Sequence, residues 1–320
     1  MRAARLFGTG DLRVVDEAAP ADPPSGHSLV RMTAVGLCGS DLHWFAEGGI
    51  GDAGLTRPLV LGHEFAGVIE SGPRAGTRVA VDPAIPCGVC ESCHEGNPNL
   101  CPTVRFAGHG NNDGGLRELL VWPDRQLFEL PDAISDAGGA VLEPLGVAIH
   151  AFDLGHVKIG ARVAVVGCGP IGLLLVQLAR AAGATSVLAV EPLAHRRAAA
   201  VKYGADLEPE GQYDVAFEVA GTDAAVDTAM RLVRPGARVL LAGIPDGDRT
   251  SFSASIARRK GLSLVLVRRM KDVYPRAIAL VERGLVDVES LVSDRFALDD
   301  AAEAFRFAVA RTGLKTVITR

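Results

Sequence analysis

The stretch VAVVGCGPIGLL, residues 163–174, decides how the second half of the chain folds. An apolar, β-branched run leads into Gly167, Gly169 and Gly172 in the pattern G-x-G-x-x-G, and Pro170 suits the first turn of a helix. A strand, a tight glycine turn and a helix N-terminus form a cradle for a pyrophosphate, because backbone N–H groups and the helix dipole point at the anion. The stretch therefore predicts a dinucleotide-binding βα unit.

A carboxylate follows at the distance that such a unit requires. Glu191 ends the next apolar run, SVLAVE, about twenty residues on, where it can accept hydrogen bonds from the adenosine ribose. The same charge would repel the 2′-phosphate of NADP, whereas Arg196 and Arg197 just beyond it are residues that bind phosphate. We weight Glu191 above the two arginines and predict NAD. Cys168, inside the glycine loop, is predicted to pack rather than to act in redox chemistry.

The alternation of strand and helix continues outward from this stretch. After SVLAVE come LAHRRAAAVKYG, YDVAFEVAG, DAAVDTAMRLVRPG and RVLLAGIP. Such βαβ units predict a doubly wound parallel sheet, here over residues 147–270. The earlier residues form short β-like runs between Gly- and Pro-rich turns, and the amphipathic C-terminal segments end in a KTVIT strand. We therefore predict a β-rich domain from residues 1–146 and 271–320, with the nucleotide domain inserted into it.

Bulk composition limits the partners of the chain. The 320 residues are 48% hydrophobic, which is enough for two buried cores, and the net charge is −5 with 33 dispersed Lys and Arg residues. No basic stripe suggests a nucleic-acid groove, no apolar run is long enough to span a membrane, and no signal peptide is evident. These features predict a cytoplasmic protein that binds neither nucleic acid nor membrane. In that compartment clustered cysteines are metal ligands or redox groups more often than disulfides.

Four of the six cysteines lie in CGVCESCHEGNPNLC, residues 87–101. Cys87, Cys90, Cys93 and Cys101 follow the spacing C-x2-C-x2-C-x7-C, which lets four thiolates surround one tetrahedral ion. Four sulfur ligands fill the shell of zinc and leave no place for substrate, so this zinc would hold a loop in shape. An iron–sulfur cluster and four unligated thiols are the alternatives.

A second metal site is suggested by GLCGSDLHWF and LGHEFAG. Cys38, His63 and Glu64 would supply a thiolate, an imidazole and a carboxylate, three ligand types that suit a zinc with an open, catalytic position. Taken singly, Cys38 is better explained as a small buried residue and His63 as a loop histidine. The pairing of the two motifs favours the metal site.

These motifs together resemble the zinc-containing medium-chain dehydrogenases, from the N-terminus to the last strand. CGSDLHWFAEGGIG, LVLGHEFAG and LEPLGVAIHA are most similar to the sorbitol, xylitol and idonate dehydrogenase branch. The resemblance implies a GroES-like catalytic domain and a Rossmann domain. It also implies that Cys38, His63 and Glu64 hold the catalytic zinc, that Glu143 ligates it directly or through water, and that Asp41 orients His63.

The same resemblance assigns further residues. It makes Ser40 and His43 a relay, running from Ser40 through the cofactor ribose to His43, that carries the substrate proton out of a closed site. It places the following residues at the cofactor: Gly167, Gly169, Pro170, Ile171, Gly172, Glu191, Arg196, Ala242, Gly243, Ile244 and Arg269. The predicted cofactors are therefore NAD and two zinc ions per chain, one catalytic and one structural.

The expected reaction is hydride transfer between NAD and a secondary hydroxyl of a polyol, sugar acid or diol, so the partner is a small hydroxyl or ketone compound. The tripeptide Phe-Arg-Tyr that polyol dehydrogenases usually carry falls on Arg268, Arg269 and Met270, so only its central arginine is present in this chain. For this reason sorbitol itself is not assigned as the substrate. The alternatives are a threonine or simple-alcohol dehydrogenase, a zinc-free quinone reductase, and a non-enzymatic zinc-stapled protein that binds NAD. The apolar run GLSLVLVRR, residues 261–269, predicts a strand that pairs across a two-fold axis in a homodimer or homotetramer.

Overall fold

A computed structural model describes all 320 residues, which divide into two compact units. The first unit comprises Met1–Glu143, Tyr274–Glu282 and Val288–Arg320, and the second comprises Pro144–Val273 and Arg283–Asp287. No helix combines the length and the apolar character that crossing a membrane requires.

The strands are β1 (Arg2–Gly8), β2 (Asp11–Asp16), β3 (His27–Gly36), β4 (Gly49–Ile50), β5 (Ala53–Gly54), β6 (Leu59–Val60), β7 (Glu64–Ile69), β8 (Arg78–Val81), β9 (Ala84–Ile85), β10 (Arg105–Phe106), β11 (Leu119–Pro123), β12 (Leu127–Glu129), β13 (Arg162–Val166), β14 (Ser186–Val190), β15 (Tyr213–Glu218), β16 (Val233–Leu241), β17 (Ser263–Leu266), β18 (Val292–Ala297) and β19 (Lys315–Thr319). The helices are α1 (Gly39–Glu47), α2 (Glu91–His94), α3 (Asp136–Ala140), α4 (Leu142–Gly155), α5 (Pro170–Ala181), α6 (Ala194–Lys202), α7 (Asp223–Leu232), α8 (Ala254–Lys260), α9 (Tyr274–Glu282) and α10 (Ala301–Val309).

The first unit is built around a seven-stranded sheet with the path β12-β8-β7-β3-β19-β18, to which β11 adds by pairing with β3. The long strand β3 holds this sheet together, because it pairs antiparallel with β7, β11 and β19. Its partner β19 is the predicted KTVIT strand, and the pair Val317↔Gly36 shows that the C-terminus returns to the N-terminal unit. The register places the residues before Cys38 beside the last strand of the chain.

The second unit contains the predicted parallel sheet, with the strand order β14-β13-β15-β16-β17. The apolar strands are buried on both faces, as in β13, where Val163 and Val165 are fully buried. The chain moves from β13 to β14 on one side and then to β15 on the other, so the order reverses beside β13. In doubly wound sheets a ligand binds at the carboxyl ends of the strands at such a reversal, and the predicted α/β fold class is confirmed.

Two local details differ from the sequence pattern. The segment DAAVDTAMRLVRPG does not stay helical to its end: α7 ends at Leu232, and β16 already begins at Val233. Pro235 cannot continue a helix, and the bulge between the pairs Tyr213↔Val233 and Val215↔Arg238 accommodates it within the strand. The apolar run at β17 forms the edge of the sheet, where the side chain of Leu266 is 78% exposed.

Candidate active site and nucleotide site

The four-cysteine segment folds into a small lobe of tight turns. Gly88 and Gly96 have φ of 77° and 76°, a left-handed conformation that glycine adopts without steric cost, and α2 lies between them. The Sγ atoms of Cys87, Cys90, Cys93 and Cys101 all lie within 4.8 Å of one another. In a tetrahedron of thiolates around zinc the sulfur atoms are about 3.8 Å apart. The lobe thus needs only a small contraction to close around one ion.

Hydrogen bonds within the lobe favour the thiolates of Cys87 and Cys101, whereas burial and the neighbouring thiols raise the pKa of the Cys90 thiol to about 12. The backbone N–H of Cys87 donates to Cys101 Sγ at 3.4 Å. The backbone amides of Val89 and Cys90 lower the pKa of the Cys87 thiol to about 6, so this sulfur is ionised at neutral pH. Metal-binding cysteines must be deprotonated, and amide donors reduce the free energy that this requires. The donor set is therefore that of a closed structural metal site.

The second cluster joins residues from two strands of the large sheet. Cys38 follows β3 and begins α1, while His63 and Glu64 lie at the start of β7. Because β3 and β7 pair with Gly36 opposite Glu64, both chain segments meet at one end of the sheet. Potential ligand atoms of Cys38, His63 and Glu64 lie within 4.8 Å of one another.

Asp41 fixes the orientation of the His63 ring. Its carboxylate is fully buried, lies 3.4 Å from His63 Nδ1, and accepts the backbone N–H groups of Cys38 at 3.0 Å and Gly62 at 3.1 Å. Burial opposes ionisation of Asp41, but His63 and the two amides outweigh it and hold the pKa of Asp41 below its usual value. Nδ1 of His63 is thus occupied by its contact with Asp41, and the other ring nitrogen, Nε2, lies 3.4 Å from Ser40 Oγ. A carboxylate behind a metal-ligating histidine acts in this way in many metal sites.

The buried charges of this region are unbalanced. Four buried carboxyl groups, those of Asp41, Glu64, Asp82 and Glu143, lie in the first unit, where the buried cationic groups are Lys315 and the His63 ring; even with Glu143 protonated, because burial raises its pKa, three carboxylates face two cations. Uncompensated buried charge is costly. Together with the Cys38 thiol, this excess of anionic donors fits a divalent cation, and the mixture of sulfur, nitrogen and oxygen ligands fits zinc.

Glu143 lies next to this cluster but outside it. It occupies the first turn of α4, and its carboxylate is not among the groups within 4.8 Å of one another. Burial, reinforced by the negative charge of Glu64 and opposed by His63, raises the pKa of the Glu143 carboxyl to about 8. The two carboxylates therefore influence each other electrostatically, as neighbours of one metal would.

Sequence reasoning did not identify Lys315. Its side chain is 1% exposed, its ammonium forms an ion pair with Glu64 Oε2, and it also donates to the carbonyl of Leu37 at 2.8 Å. Between them lies Gly36, where a Cβ atom would collide with the Glu64 carboxylate and would lie 3.0 Å from Lys315 Cε. A lysine in a terminal β-strand carries no signal of burial, so only the register of β7, β3 and β19 reveals this contact.

Ring and polar contacts hold several other side chains of the first unit in place. The Phe106 ring contacts the His63 ring at 5.3 Å between centroids, and Trp44 meets His109 edge-on at 5.6 Å. His43 Nδ1 lies 3.0 Å from Glu47 Oε1, one helical turn further along α1. The predicted relay residues Ser40 and His43 thus both lie on the helix that Cys38 begins.

In the second unit the glycine loop has the expected form. Gly169 is the N-cap of α5 and Pro170 its first residue, so the free N–H groups of the helix point toward the loop. Gly167 has φ of 96°, and a Cβ atom there would lie 2.9 Å from the backbone nitrogen of Ala220. A Cβ atom on Gly172 would overlap the Gly167 carbonyl. The glycines therefore serve both the turn and close packing, and Ile171 lies between them.

Glu191 and the two arginines occupy different positions around that loop. Glu191 Oε2 accepts the backbone N–H of Cys168 at 2.7 Å, and Oε1 accepts that of Leu193 at 3.0 Å. Arg197 Nη1 donates to the carbonyls of Glu191 and Pro192 at 3.0 and 2.6 Å, so it supports the turn after β14. Arg196 instead places Nη1 3.7 Å from the position of a Cβ atom on Gly169. Cys168 is fully buried, and burial raises the pKa of its thiol to about 12, in keeping with a packing role.

The remaining predicted cofactor residues lie after the next strands of the sheet. Ala242, Gly243 and Ile244 directly follow β16, on the same sheet edge as the glycine loop, and Ile244 is 47% exposed. Arg269 lies beyond β17 with φ of 52°, a strained backbone conformation for a residue with a side chain. Met270 beside it is buried and packs closely on Gly146.

Comparison with known proteins adds independent findings. Residues 24–132 match the family described as the alcohol dehydrogenase GroES-like domain. The chain is 32% identical to the sorbitol dehydrogenase of Bacillus subtilis, with 97% of this chain and 94% of that protein covered. It superposes on the crystal structure of L-idonate 5-dehydrogenase from Escherichia coli with a TM-score of 0.93 and 29% identity, covering 100% of this chain and 98% of the other. A putative zinc-binding dehydrogenase of Sinorhizobium meliloti, bound to NADP, gives a TM-score of 0.90 and 32% identity over 100% and 99% of the two chains.

Proposed function

The chain belongs to the zinc-containing medium-chain dehydrogenases, in their polyol dehydrogenase branch, and on that premise we propose how its residues act. It is an oxidoreductase that transfers a hydride between the secondary hydroxyl of a polyol, sugar acid or diol and NAD. In this proposal residues 1–146 and 271–320 form the catalytic domain, and residues 147–270 bind the cofactor.

The observation that carries the proposal is the cluster of Cys38, His63 and Glu64, which lies in a unit where buried carboxyl groups outnumber buried cationic groups. These three residues would hold a zinc ion, with Glu143 as a further ligand directly or through water. A zinc ion in such a site supplies Lewis-acid polarisation of the substrate oxygen, which lowers the pKa of the hydroxyl. Asp41 keeps the His63 ring turned so that Nε2 faces the site. Ser40 would pass the hydroxyl proton through the cofactor ribose to His43.

The glycine loop and the carboxylate at Glu191 would hold the dinucleotide. Bound NAD supplies the hydride acceptor. The backbone N–H groups of Gly169, Ile171 and the following turn of α5 would receive the pyrophosphate, and Glu191 would accept the ribose hydroxyls. Its hydrogen bonds to the Cys168 and Leu193 amides hold that carboxylate beside the loop.

Replacement of Glu191 by serine is expected to shift cofactor preference toward NADP. Wild-type protein should prefer NAD, because the carboxylate repels the 2′-phosphate, and because Arg197 is engaged with backbone carbonyls. In Glu191→Ser the ratio of kcat/KM for NADP to that for NAD should rise about 100-fold, or ~2–4 kcal/mol, through the loss of one repulsion and two ribose hydrogen bonds.

A second variant tests whether Arg196 binds the 2′-phosphate of NADP, because its guanidinium lies beside Gly169. In Glu191→Ser/Arg196→Ala the gained use of NADP should fall again if Arg196 binds the phosphate, while Arg197→Ala in the same background should mainly lower stability. A wild-type enzyme that prefers NADP would refute the assignment of Glu191, and would show that Arg196 outweighs the carboxylate.

The substrate is proposed only as a chemical class. Sorbitol and idonate are the substrates named for two of the relatives, and both are polyhydroxylated chains with a secondary hydroxyl. Arg269 would recognise a hydroxyl or carboxylate of such a molecule, whereas the buried Met270 offers no hydrogen-bond donor. Turnover should therefore be measured on pentitols, hexitols, sugar acids, vicinal diols, threonine and simple alcohols. Turnover confined to threonine or to simple alcohols would refute the polyol proposal.

We also propose that the chain forms a closed homodimer or homotetramer in the cytoplasm. The edge strand β17 leaves its backbone unpaired on one side and exposes Leu266. Such an apolar edge is usually covered by another strand, and two-fold pairing of identical edges would extend the sheet. Light scattering at micromolar concentration should give a mass of two or four chains. Leu266→Lys should shift it toward one chain, and a monomeric wild-type protein would contradict the proposal.

A further inference from the structure

We propose that Glu218 is a positioning residue of the dinucleotide site, whose buried carboxylate fastens together the two loops that follow β15 and β16. The inference rests on the nucleotide site proposed above. It assigns to one side chain the task of holding Ala242, Gly243 and Ile244 in register with the glycine loop. Glu218 is 1% exposed and is the last residue of β15.

The position of Glu218 in the sheet places it between the two parts of the site. On one side it pairs with Val166, the residue before Gly167, and on the other with Leu241, the residue before Ala242. The Glu218 carbonyl accepts the backbone N–H groups of Ala242 at 2.9 Å and Gly243 at 3.1 Å. The residue is therefore linked through its backbone to the loop after β16.

The side chain of Glu218 turns back onto its own loop. Oε1 accepts the backbone N–H of Ala220 at 2.8 Å and that of Gly221 at 2.7 Å. Burial raises the pKa of the Glu218 carboxyl, and amide donors at Gly221, Ala220, Gly243 and Thr222 act against this shift. The amides of Ala220 and Gly221 thus converge on Oε1, while Oε2 lies against Gly243 of the second loop, 2.9 Å from the position of a Cβ atom there.

Close backbone contacts make the position of these loops critical. A Cβ atom on Gly221 would overlap the carbonyl of Ile244, and one on Gly243 would overlap the nitrogen of Gly221 and lie 2.9 Å from Glu218 Oε2. Ala220 in turn packs against Gly167, whose Cβ atom would lie 2.9 Å from its nitrogen. A displacement of residues 220–222 would therefore be transmitted both to the glycine loop and to residues 242–244.

A core that required only stability would not place a carboxylate here. Burial of a charged group is costly, and apolar packing of the same volume is often as stable. What the carboxylate provides is two acceptor oxygens in fixed positions, which define the separation of the loops. In Glu218→Gln only one acceptor oxygen remains, so an NH2 group, which cannot accept, faces either the Ala220 and Gly221 amides or Gly243.

The test compares NADH affinity and stability in the full-length, zinc-replete protein. Glu218→Gln should raise the NADH Kd, measured by the anisotropy of NADH fluorescence, at least about tenfold, and should alter the emission of bound NADH. The matched control is Asp214→Asn, on the same strand but at its opposite end. Asp214 accepts the Arg162 backbone N–H and Arg234 Nε, both at 2.9 Å. This control should lower Tm while leaving the NADH Kd unchanged.

The outcomes separate this inference from the proposed function. Wild-type protein that binds no nicotinamide dinucleotide would refute the proposed function and the inference with it. Wild-type binding with an unchanged Kd in Glu218→Gln would overturn the inference alone, and so would an equal loss of affinity in Asp214→Asn. If Glu218→Gln does not fold, Glu218→Asp takes its place. This variant keeps the charge but is one methylene too short to reach both loops, so weakened NADH binding supports the inference and unchanged binding overturns it.

Discussion

Cys38→Ser is expected to abolish turnover while the protein stays folded. The variant removes the only thiolate from the three-residue cluster, and a serine hydroxyl does not replace it as a zinc ligand at neutral pH. Loss of the Lewis acid removes several kcal/mol of transition-state stabilisation, so kcat should fall at least about 1,000-fold. Metal analysis should find one zinc per chain in place of two, with Tm close to that of wild type.

Cys90→Ser is the complementary variant, because Cys90 belongs to the four-cysteine lobe. It should also contain one zinc per chain, but its main defect should be a lowered Tm, since a closed structural site contributes folding free energy. Chelation of the wild type should reproduce both effects in order. The open cluster should lose its metal and activity first, and the closed lobe should lose its metal and structure later.

Three results would contradict this assignment of roles. The first is Cys38→Ser protein with full turnover and two zinc ions. The second is a single chelation event that removes activity and structure together. The third is a brown protein that contains iron, which would make the lobe an electron-transfer site. Cys168→Ser serves as a cysteine control, because this buried thiol lies in the second unit and should leave the zinc content at two.

The sequence predicts the fold where local signals agree with tertiary structure. The G-x-G-x-x-G run forms its strand, loop and helix because glycine, proline and β-branched residues each favour that conformation locally. The motifs at Cys38 and His63 likewise indicate their chemistry, since ligand types and spacing are visible in the chain. These are the parts that also carry the resemblance to known dehydrogenases.

Contacts across the sheets could not be predicted in the same way. Glu218 and Lys315 are acidic and basic residues in strands, a pattern that normally indicates an exposed face. Their burial depends on lateral neighbours: Val166 and Leu241 beside Glu218, and Gly36 between Glu64 and Lys315. Strand register between distant segments is set by tertiary packing, so a single sequence does not reveal it.

Lys315→Met is expected to destabilise the first unit strongly, although it leaves the cysteine and histidine ligands intact. Methionine fills a similar volume, but the Glu64 carboxylate loses its buried cation and the Leu37 carbonyl loses a donor. Removing one partner of a buried pair costs about 3–5 kcal/mol, because the other charge remains uncompensated. For a chain of this size the loss corresponds to a fall in Tm of roughly 6–15 °C, measured by circular dichroism on protein whose Cys38, His63 and Glu64 cluster has been stripped of zinc, so that no metal compensates Glu64.

The double variant Lys315→Met/Glu64→Gln distinguishes a charge effect from a packing effect. It removes both charges, so it should recover most of the Tm lost in Lys315→Met, even though Glu64 is a proposed zinc ligand. Lys158→Met, at an exposed lysine, should change Tm by no more than about 2 °C. If Lys315→Met behaves like Lys158→Met, the pair adds nothing to stability. If the double variant is less stable than Lys315→Met, Glu64 stabilises the first unit through a contact other than the ion pair, and the metal cluster becomes its principal partner.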